Sequence, residues 1–291
     1  MAPPLSSLYT LSFALALLAT LLVAAALRVL AILPNRRPQS TQWRKRPLAT
    51  RVLIVLGSGG HTHEMFYLLR DLDTSKYTHR TYIVSSGDAF SAQRAVEFEK
   101  GLEEREKAKQ RKTDTVDEQD AVPTVALNGT TIDKPPTTQR PPCLGPEHYT
   151  IATVPRARKI HQPLLTTPLS ALYCLISCFP PLFTTPPLFP KASPANAYEA
   201  AAADLPDLII TNGPATAVIV IFASLILRFF NIRGTNSRGK CKTIYAESFA
   251  RVKGLSLSGK ILARVVDRFL VQWEELEGSG GGRAEFWGIL V

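Results

Sequence analysis

Six residues with a spacing suited to chemistry, Gly57-Ser58-Gly59-Gly60-His61-Thr62, follow the apolar run Arg51-Val-Leu-Ile-Val-Leu56. A helix-like segment comes next. The arrangement outlines a buried parallel strand, a phosphate-cradling turn and a helix N-terminus. Glycines let backbone N–H groups come close to an anion, and the helix aims its positive end at the same point. His61, where loop meets helix, has the side chain of a general base or a phosphate ligand. A polar capping role explains it equally well. His63 stands two residues on, so the two imidazoles diverge on a helix, and H-E-x-x-H is absent. The bland alternative for the whole loop is a tight strand-to-helix turn with no ligand.

Several phosphate chemistries are excluded. The dinucleotide fingerprint G-x-G-x-x-G fails because Thr62 occupies its last position. No acidic residue ends the next strand candidate, Tyr82-Ile-Val-Ser-Ser86, so a ribose-binding carboxylate is missing as well. A P-loop needs Gly-Lys-Ser/Thr, and the chain has none. Asp71-Leu-Asp73 has the D-x-D form that holds a metal–nucleotide diphosphate, but it falls at the far end of the first body helix. That is the wrong sheet edge for a site, and the pair reads as turn chemistry. No motif requires a metal or a cofactor.

Three further segments end predicted strands: Ser85-Ser-Gly-Asp88, Thr211-Asn212-Gly213-Pro214 and Glu247-Ser-Phe-Ala-Arg251. A parallel sheet brings all three to the rim that carries the glycine loop. Helix capping alone would explain Asp88 and Asn212. Arg156, Arg158, Lys159, Arg251, Lys253 and Lys260 add positive charge after the strands, suited to a diphosphate or to anionic lipid heads. A solvated basic face is the alternative.

The elements that position these residues alternate. Strand candidates are 51–56, 80–85, 148–153, 207–211, 242–246 and 268–272. Helix candidates are 61–71, 88–99, 165–178, 214–230 and 257–266. The alternation predicts an α/β, Rossmann-like parallel sheet with helices on both faces. Residues 100–146 pass from mixed charge to a Thr- and Pro-rich composition and are expected to be a disordered insert. Residues 180–206 are expected to form a loop. The proline-broken apolar stretch 164–189 reads as a membrane-skimming segment. The stretch 205–232 reads as a buried sheet-packing helix rather than a second span.

The chain has 291 residues, 45% of them hydrophobic, and a formal net charge of +10. The charge suits an anionic partner, but no nucleic-acid-binding signature is present. Cysteines 143, 174, 178 and 241 form no metal pattern and no disulfide framework, which fits a reducing compartment. Residues 1–27 carry no charged side chain, and the apolar character continues to Leu33. This is long enough to cross a bilayer, and it exceeds the apolar core of a cleaved signal. Arg36, Arg37, Arg44, Lys45 and Arg46 follow, which places the N-terminus in the lumen and the body in the cytosol. The expected organisation is an anchor over 1–34, a basic linker over 35–50 and a Rossmann-like domain over 51–291 that carries the insert.

With these segments in place, the chain resembles the membrane-anchoring subunits of the UDP-N-acetylglucosamine transferase of dolichol-linked oligosaccharide synthesis. Besides the glycine loop and Ser85–Asp88, the likeness rests on Val154-Pro-Arg-Ala-Arg158 and Asn212-Gly-Pro214. Its most specific block runs from Tyr245-Ala-Glu-Ser-Phe-Ala-Arg251 through Leu255-Ser-Leu-Ser-Gly-Lys260 to Asp267-Arg-Phe-Leu-Val-Gln-Trp273. The closing Gly288-Ile-Leu-Val291 fits too. The resemblance implies the N-terminal half of a GT-B glycosyltransferase split over two polypeptides. A soluble partner would supply the donor-binding half. Together they would add the second N-acetylglucosamine to N-acetylglucosaminyl-diphospho-dolichol on the cytosolic face of the endoplasmic reticulum.

On this reading His61 and Glu247 are the catalytic candidates. Gly57, Ser58, Gly59, Gly60, Thr62, Asn212, Gly213 and Arg251 are the candidates for holding the acceptor diphosphate. Two rivals are a non-catalytic membrane recruiter and a membrane-bound NAD(P)-dependent reductase, the latter weakened by the missing ribose acid. The chain departs from the family at Ala215, where glycine is usual, and at Glu274, where proline is. Gly278-Ser-Gly-Gly-Gly282 is expected to make the approach to the C-terminus flexible. The cytosolic placement predicts that the acceptor sequence Asn128-Gly-Thr130 carries no glycan. An endoglycosidase-sensitive mobility shift abolished by Asn128→Gln would contradict it.

Overall fold

The computed structural model describes residues 5–34, 49–119, 142–158, 162–183, 196–213 and 215–289. The basic stretch 35–48, Asn128, Lys159 and Pro214 lie outside the described residues.

The described residues open with helix α1 (Leu5–Ile32) and then alternate strands and helices. These are β1 (Arg51–Val55), α2 (Gly60–Leu68), β2 (His79–Ser85), α3 (Ala89–Gln119), β3 (Tyr149–Val154), α4 (Thr167–Phe183) and α5 (Ala197–Ala202). After them come β4 (Leu208–Asn212), α6 (Thr216–Phe229), β5 (Lys242–Ala246), α7 (Leu257–Leu262), β6 (Arg268–Val271) and β7 (Ala284–Phe286). The seven strands form one sheet in the order β3-β2-β1-β4-β5-β6-β7, and every pairing is parallel. The order reverses between β1 and β4, the switch point where doubly wound sheets open a crevice at their C-terminal edge.

β1 is buried along its whole length because it is covered on both faces. Val52, Ile54 and Leu56 pack toward Met65, Phe66 and Leu69 of the α2 region and Ala95 of α3. Leu53 and Val55 join the opposite core with Cys174, Cys178 and Leu182 of α4 and Val220, Ile221 and Leu227 of α6. Arg51 is itself buried and donates to the carbonyls of Pro181 and Asp204 at 2.6 Å, which ties the C-terminal turn of α4 to the start of the strand. α6 is a fourteen-residue sheet-packing helix, as expected, and too short to span.

Within α1, Tyr9–Ile32 covers 24 residues, is long and apolar enough to cross a bilayer, and is almost wholly exposed. Its last turn docks on the body through exchanged arginines. Arg28 donates to the carbonyls of Phe229 (2.8 Å) and Arg228 (3.0 Å) at the end of α6. Arg228 in turn donates to the carbonyl of Ile32 (2.7 Å) and to Asp267 (3.1 Å). Each helix therefore ends on a cation from the other, the favourable sign for a helix C-terminus. Arg283 adds a bond to the carbonyl of Pro34 at 3.1 Å.

Three expectations need correction. The helix expected over 88–99 runs on to Gln119, so the segment read as disordered from residue 100 is helical at its start. Its mixed charge forms ion pairs one turn apart, Glu103–Lys107 and Glu106–Lys109, each at 2.6 Å, which support an exposed helix. Residues 120–141 lie outside the described residues. Part of the stretch expected as a loop, 180–206, continues α4 and forms α5. The glycines at 278–282 make a folded turn rather than a flexible approach. A Cβ at Gly280 would come within 2.5 Å of the Ala263 Cβ, and the turn leads straight into β7, a strand too short to read from sequence.

α3 is fastened to the sheet by a buried cluster. Arg80 donates to both oxygens of Glu99 at 2.6 and 2.7 Å, and the Tyr82 hydroxyl donates to the same carboxylate at 2.6 Å. Breaking such a pair strands a buried charge and costs about 3–5 kcal/mol. Glu99→Ala is expected to lower unfolding free energy by that amount in urea titrations of the full chain. A loss under about 1 kcal/mol, as at an exposed pair, would contradict this.

Candidate active site

Four of the helices that follow strands at the C-terminal rim of the sheet, α2, α3, α6 and α7, differ in how their first turn is satisfied. α3 is capped by Asp88, whose Oδ1 accepts from the Ser91 amide at 3.1 Å and whose Oδ2 accepts from the Ser91 hydroxyl at 2.7 Å. α7 is capped by Ser256, whose Oγ accepts from the Gly259 amide at 2.9 Å. α2 and α6 have no side-chain cap. These two helices flank the switch point, each presenting about half a positive charge from its dipole. Asp88 is thus the N-cap its residue type allowed. Asn212 is not one.

Between the two uncapped ends lies His61. A Cβ at Gly57 would stand 2.6 Å from the His61 Cβ, and one at Gly213 would stand 3.0 Å from its Cγ. Gly213 also has φ +76, a conformation side chains rarely adopt. Glycine is therefore needed on both sides, once after β1 and once after β4. Asn212 completes the clamp by donating from Nδ2 to the His61 carbonyl at 2.7 Å. Its Oδ1 is buried and has no hydrogen-bond partner among the described residues. Gly59 and Gly60 differ from this pair: a Cβ at either would meet nothing within 4 Å, so both border open space. Ser58 is exposed beside them. Thr62 is placed beneath the loop, where its hydroxyl bonds the Gly57 carbonyl and lies 2.6 Å from Ser91 Oγ. It shapes the loop instead of facing its open side.

Glu247 is buried, and both carboxylate oxygens are engaged. Oε1 accepts from the Ser248 amide at 3.2 Å, and Oε2 accepts from the Ser256 amide and hydroxyl at 3.1 and 3.0 Å. It closes the 247–256 loop, and Gly259 has no side chain because a Cβ there would collide with Glu247 Oε2. Trp273 clamps the same loop by donating from Nε1 to the Phe249 carbonyl at 2.7 Å. Tyr245 donates to the Gly213 carbonyl at 3.3 Å and joins this loop to the histidine clamp. Arg251, Lys253 and Lys260 are exposed on the lip, and Arg156 donates to the Ser86 carbonyl at 3.1 Å nearby. Asp73 accepts from Ser75 and Lys76 in a turn on the other side of the sheet, as its D-x-D reading required.

The carboxylate that meets His61 is Glu64. Its Oε2 lies 3.6 Å from His61 Nδ1, and its Oε1 accepts from Ser248 Oγ at 2.9 Å. Burial pushes the Glu64 carboxyl up, but contacts with His61 and Ser248 outweigh it and leave it below its ordinary 4.5. Its contacts therefore contribute stability above that pH, and the contribution is lost on acidification through the lowered value. Sequence reasoning passed over Glu64. The signal available was the i, i+3 spacing in His61-Thr-His-Glu64, which puts both side chains on one helix face.

A doubly wound parallel sheet with two uncapped helix ends and a glycine-walled histidine at its switch point defines a Rossmann-like domain with its candidate site at that rim. A family profile described as "Oligosaccharide biosynthesis protein Alg14 like" matches residues 52–290, and the chain belongs to that family. Relatives carry the name UDP-N-acetylglucosamine transferase subunit. One from Aspergillus fumigatus is 38% identical over 260 residues, spanning 78% of this chain and 100% of the relative. One from Schizosaccharomyces pombe is 32% identical over 274 residues, spanning 94% and 98%. One from Mus musculus is 29% identical over 227 residues, spanning 78% and 77%. No solved structure matches.

The two kinds of glycine predict different mutational outcomes. Gly57→Ala drives a methyl into His61 and is expected to cost about 1–3 kcal/mol, the usual range for overpacking. Gly60→Ala borders open space and should leave unfolding free energy within about 0.5 kcal/mol of wild type. Denaturant titrations of the two variants check this, and equal losses would contradict the assignment.

Proposed function

We propose that this chain is the membrane-anchored, acceptor-binding subunit of a UDP-N-acetylglucosamine transferase divided between two polypeptides. The observation that carries this reading is the pair of uncapped helix ends, α2 and α6, with His61 held between them. The diphosphate of N-acetylglucosaminyl-diphospho-dolichol sits over Ser58, Gly59 and Gly60, within the field of both helices. Arg251 on the lip adds a cation. Gly57, Gly213 and Asn212 hold His61 in place, while Thr62 and Glu247 shape the two loops.

A soluble partner provides the UDP-sugar site as the second half of a GT-B cleft. The acceptor 4-hydroxyl attacks the anomeric carbon of the donor, its proton passes to a base, and UDP leaves from the opposite face, so the configuration inverts. His61 serves as that base or as a ligand of the diphosphate. The body faces the cytosol at the endoplasmic reticulum, with α1 as the span. α4 turns Leu169, Leu172, Tyr173 and Ile176 outward, an apolar stripe suited to skimming the same membrane.

The test is reconstitution of the full chain with its soluble partner and a diphospho-dolichol acceptor. His61→Ala is expected to lower kcat by about 10²-fold or more if it is the base, and Gly60→Val should block acceptor use while the partner still co-purifies. Wild-type turnover by both variants would support a pure membrane recruiter and remove the acceptor role.

A further inference from the structure

We infer that Glu64 is a positioning residue that fixes the His61 ring in its Nδ1–H form, with Ser248 holding Glu64 in turn. The inference rests on the role given to His61 above. His61 Nδ1 and Glu64 Oε2 are both buried, and neither has a hydrogen-bond partner among the described residues. They face each other at 3.6 Å across one turn of α2. A buried polar atom left unpaired is unfavourable, and each is the other's nearest remedy. A hydrogen bond of charge-assisted length, ~2.8 Å, between them would satisfy both atoms at once. Hydrogen bonds of this kind are often long before substrate arrives and tighten in the loaded site.

The surroundings leave the pair little choice. Gly57 and Gly213 press against Cβ, Cγ and Cδ2 of His61, so the ring is confined between two backbones. Because Nδ1 is buried, the ring's exposure falls on the edge that carries Nε2. Glu64 cannot swing away, because Ser248 holds its other oxygen. The remaining groups on the facing elements do not compete. Glu247 is bound to Ser248 and Ser256, Tyr245 donates to Gly213, Arg251 is exposed, and Asn212 makes its bond to the His61 carbonyl rather than to the ring.

The consequence is chemical. The hydrogen bond made by one imidazole nitrogen decides which nitrogen carries the proton. With the proton on Nδ1 and bonded to Glu64, Nε2 keeps its lone pair at the exposed edge. Only that form can take a proton from an acceptor hydroxyl. Once Nε2 is protonated, the Glu64 carboxylate steadies the resulting cation. Ser248 belongs to the 247–256 loop, so it links the ring's orientation to the loop that forms the opposite lip.

The experiment is ¹⁵N NMR of the full-length chain in nanodiscs with labelled histidine. The chain has five histidines, and His61 is assigned by its absence in His61→Ala. Spectra are taken about two units above the ordinary histidine pKa of ~6.5. The wild type is expected to show a protonated Nδ1. Glu64→Ala should revert to the Nε2–H form, and Glu64→Gln, whose amide oxygen still accepts, should keep the wild-type form. In the reconstituted complex Glu64→Ala should lower kcat at least tenfold with acceptor KM within about twofold, and Glu64→Gln should recover most of the loss. A wild-type Nε2–H form, or the same tautomer in wild type and Glu64→Ala, overturns the inference, and the wild-type spectrum decides alone if Glu64→Ala does not fold. A changed tautomer with unchanged kcat leaves the pairing standing but removes His61 from the proposed reaction.

Discussion

The constraint on which the site depends is the fit of one imidazole between two glycine backbones. Gly57 closes the first strand and Gly213 the fourth, and they come together only because the strand order reverses between β1 and β4. A side chain at either position would displace His61. Asn212 donates to the His61 carbonyl, so the end of β4 also fixes the start of α2. The glycines therefore have separate physical jobs. Two make room for a ring, and two more, Gly59 and Gly60, leave room above the helix end.

A second layer keeps this arrangement in register. Glu247 closes its loop, Trp273 clamps the loop's middle, and Tyr245 and Ser248 carry it across to Gly213 and Glu64. This explains the residue types in the block from Tyr245 to Trp273. They form one hydrogen-bonded unit spanning two strands and a helix N-terminus, and Gly259 is the small residue that lets Glu247 sit under it. The apolar N-terminal helix α1 is fastened with comparable care. Arg28 and Arg228 each satisfy the other helix's terminal carbonyls, so α1 meets the body at a defined surface.

Much of this was legible in the sequence, for reasons particular residues make clear. The six strands of the main pattern fell within a residue or so of their observed limits, because parallel strands buried on both faces read as short apolar runs between turn residues. The rim loops were legible because strand ends in such a sheet share one edge. Glu64 is hidden because it follows two histidines that carry the evident chemistry, and its i, i+3 spacing to His61 is the one trace of the pairing. Glu247 is legible as a carboxylate at a strand end, but the three donors around it are not, because a loop's own hydrogen bonds leave no sequence pattern. α3 was cut short because its ion pairs stabilise a helix without an apolar stripe. The arginine exchange joins residues some two hundred positions apart, which no local pattern reveals.

The central claim is that the open side of the glycine loop receives the diphosphate of a lipid-linked acceptor. Its most direct measurement is ³¹P NMR of an N-acetylglucosaminyl-diphospho-lipid titrated with the full-length chain in nanodiscs, without the soluble partner. The account predicts that both phosphorus resonances shift or broaden to saturation with the wild-type chain and stay unperturbed with Gly60→Val. Resonances that respond equally to both chains, or to neither, would contradict it.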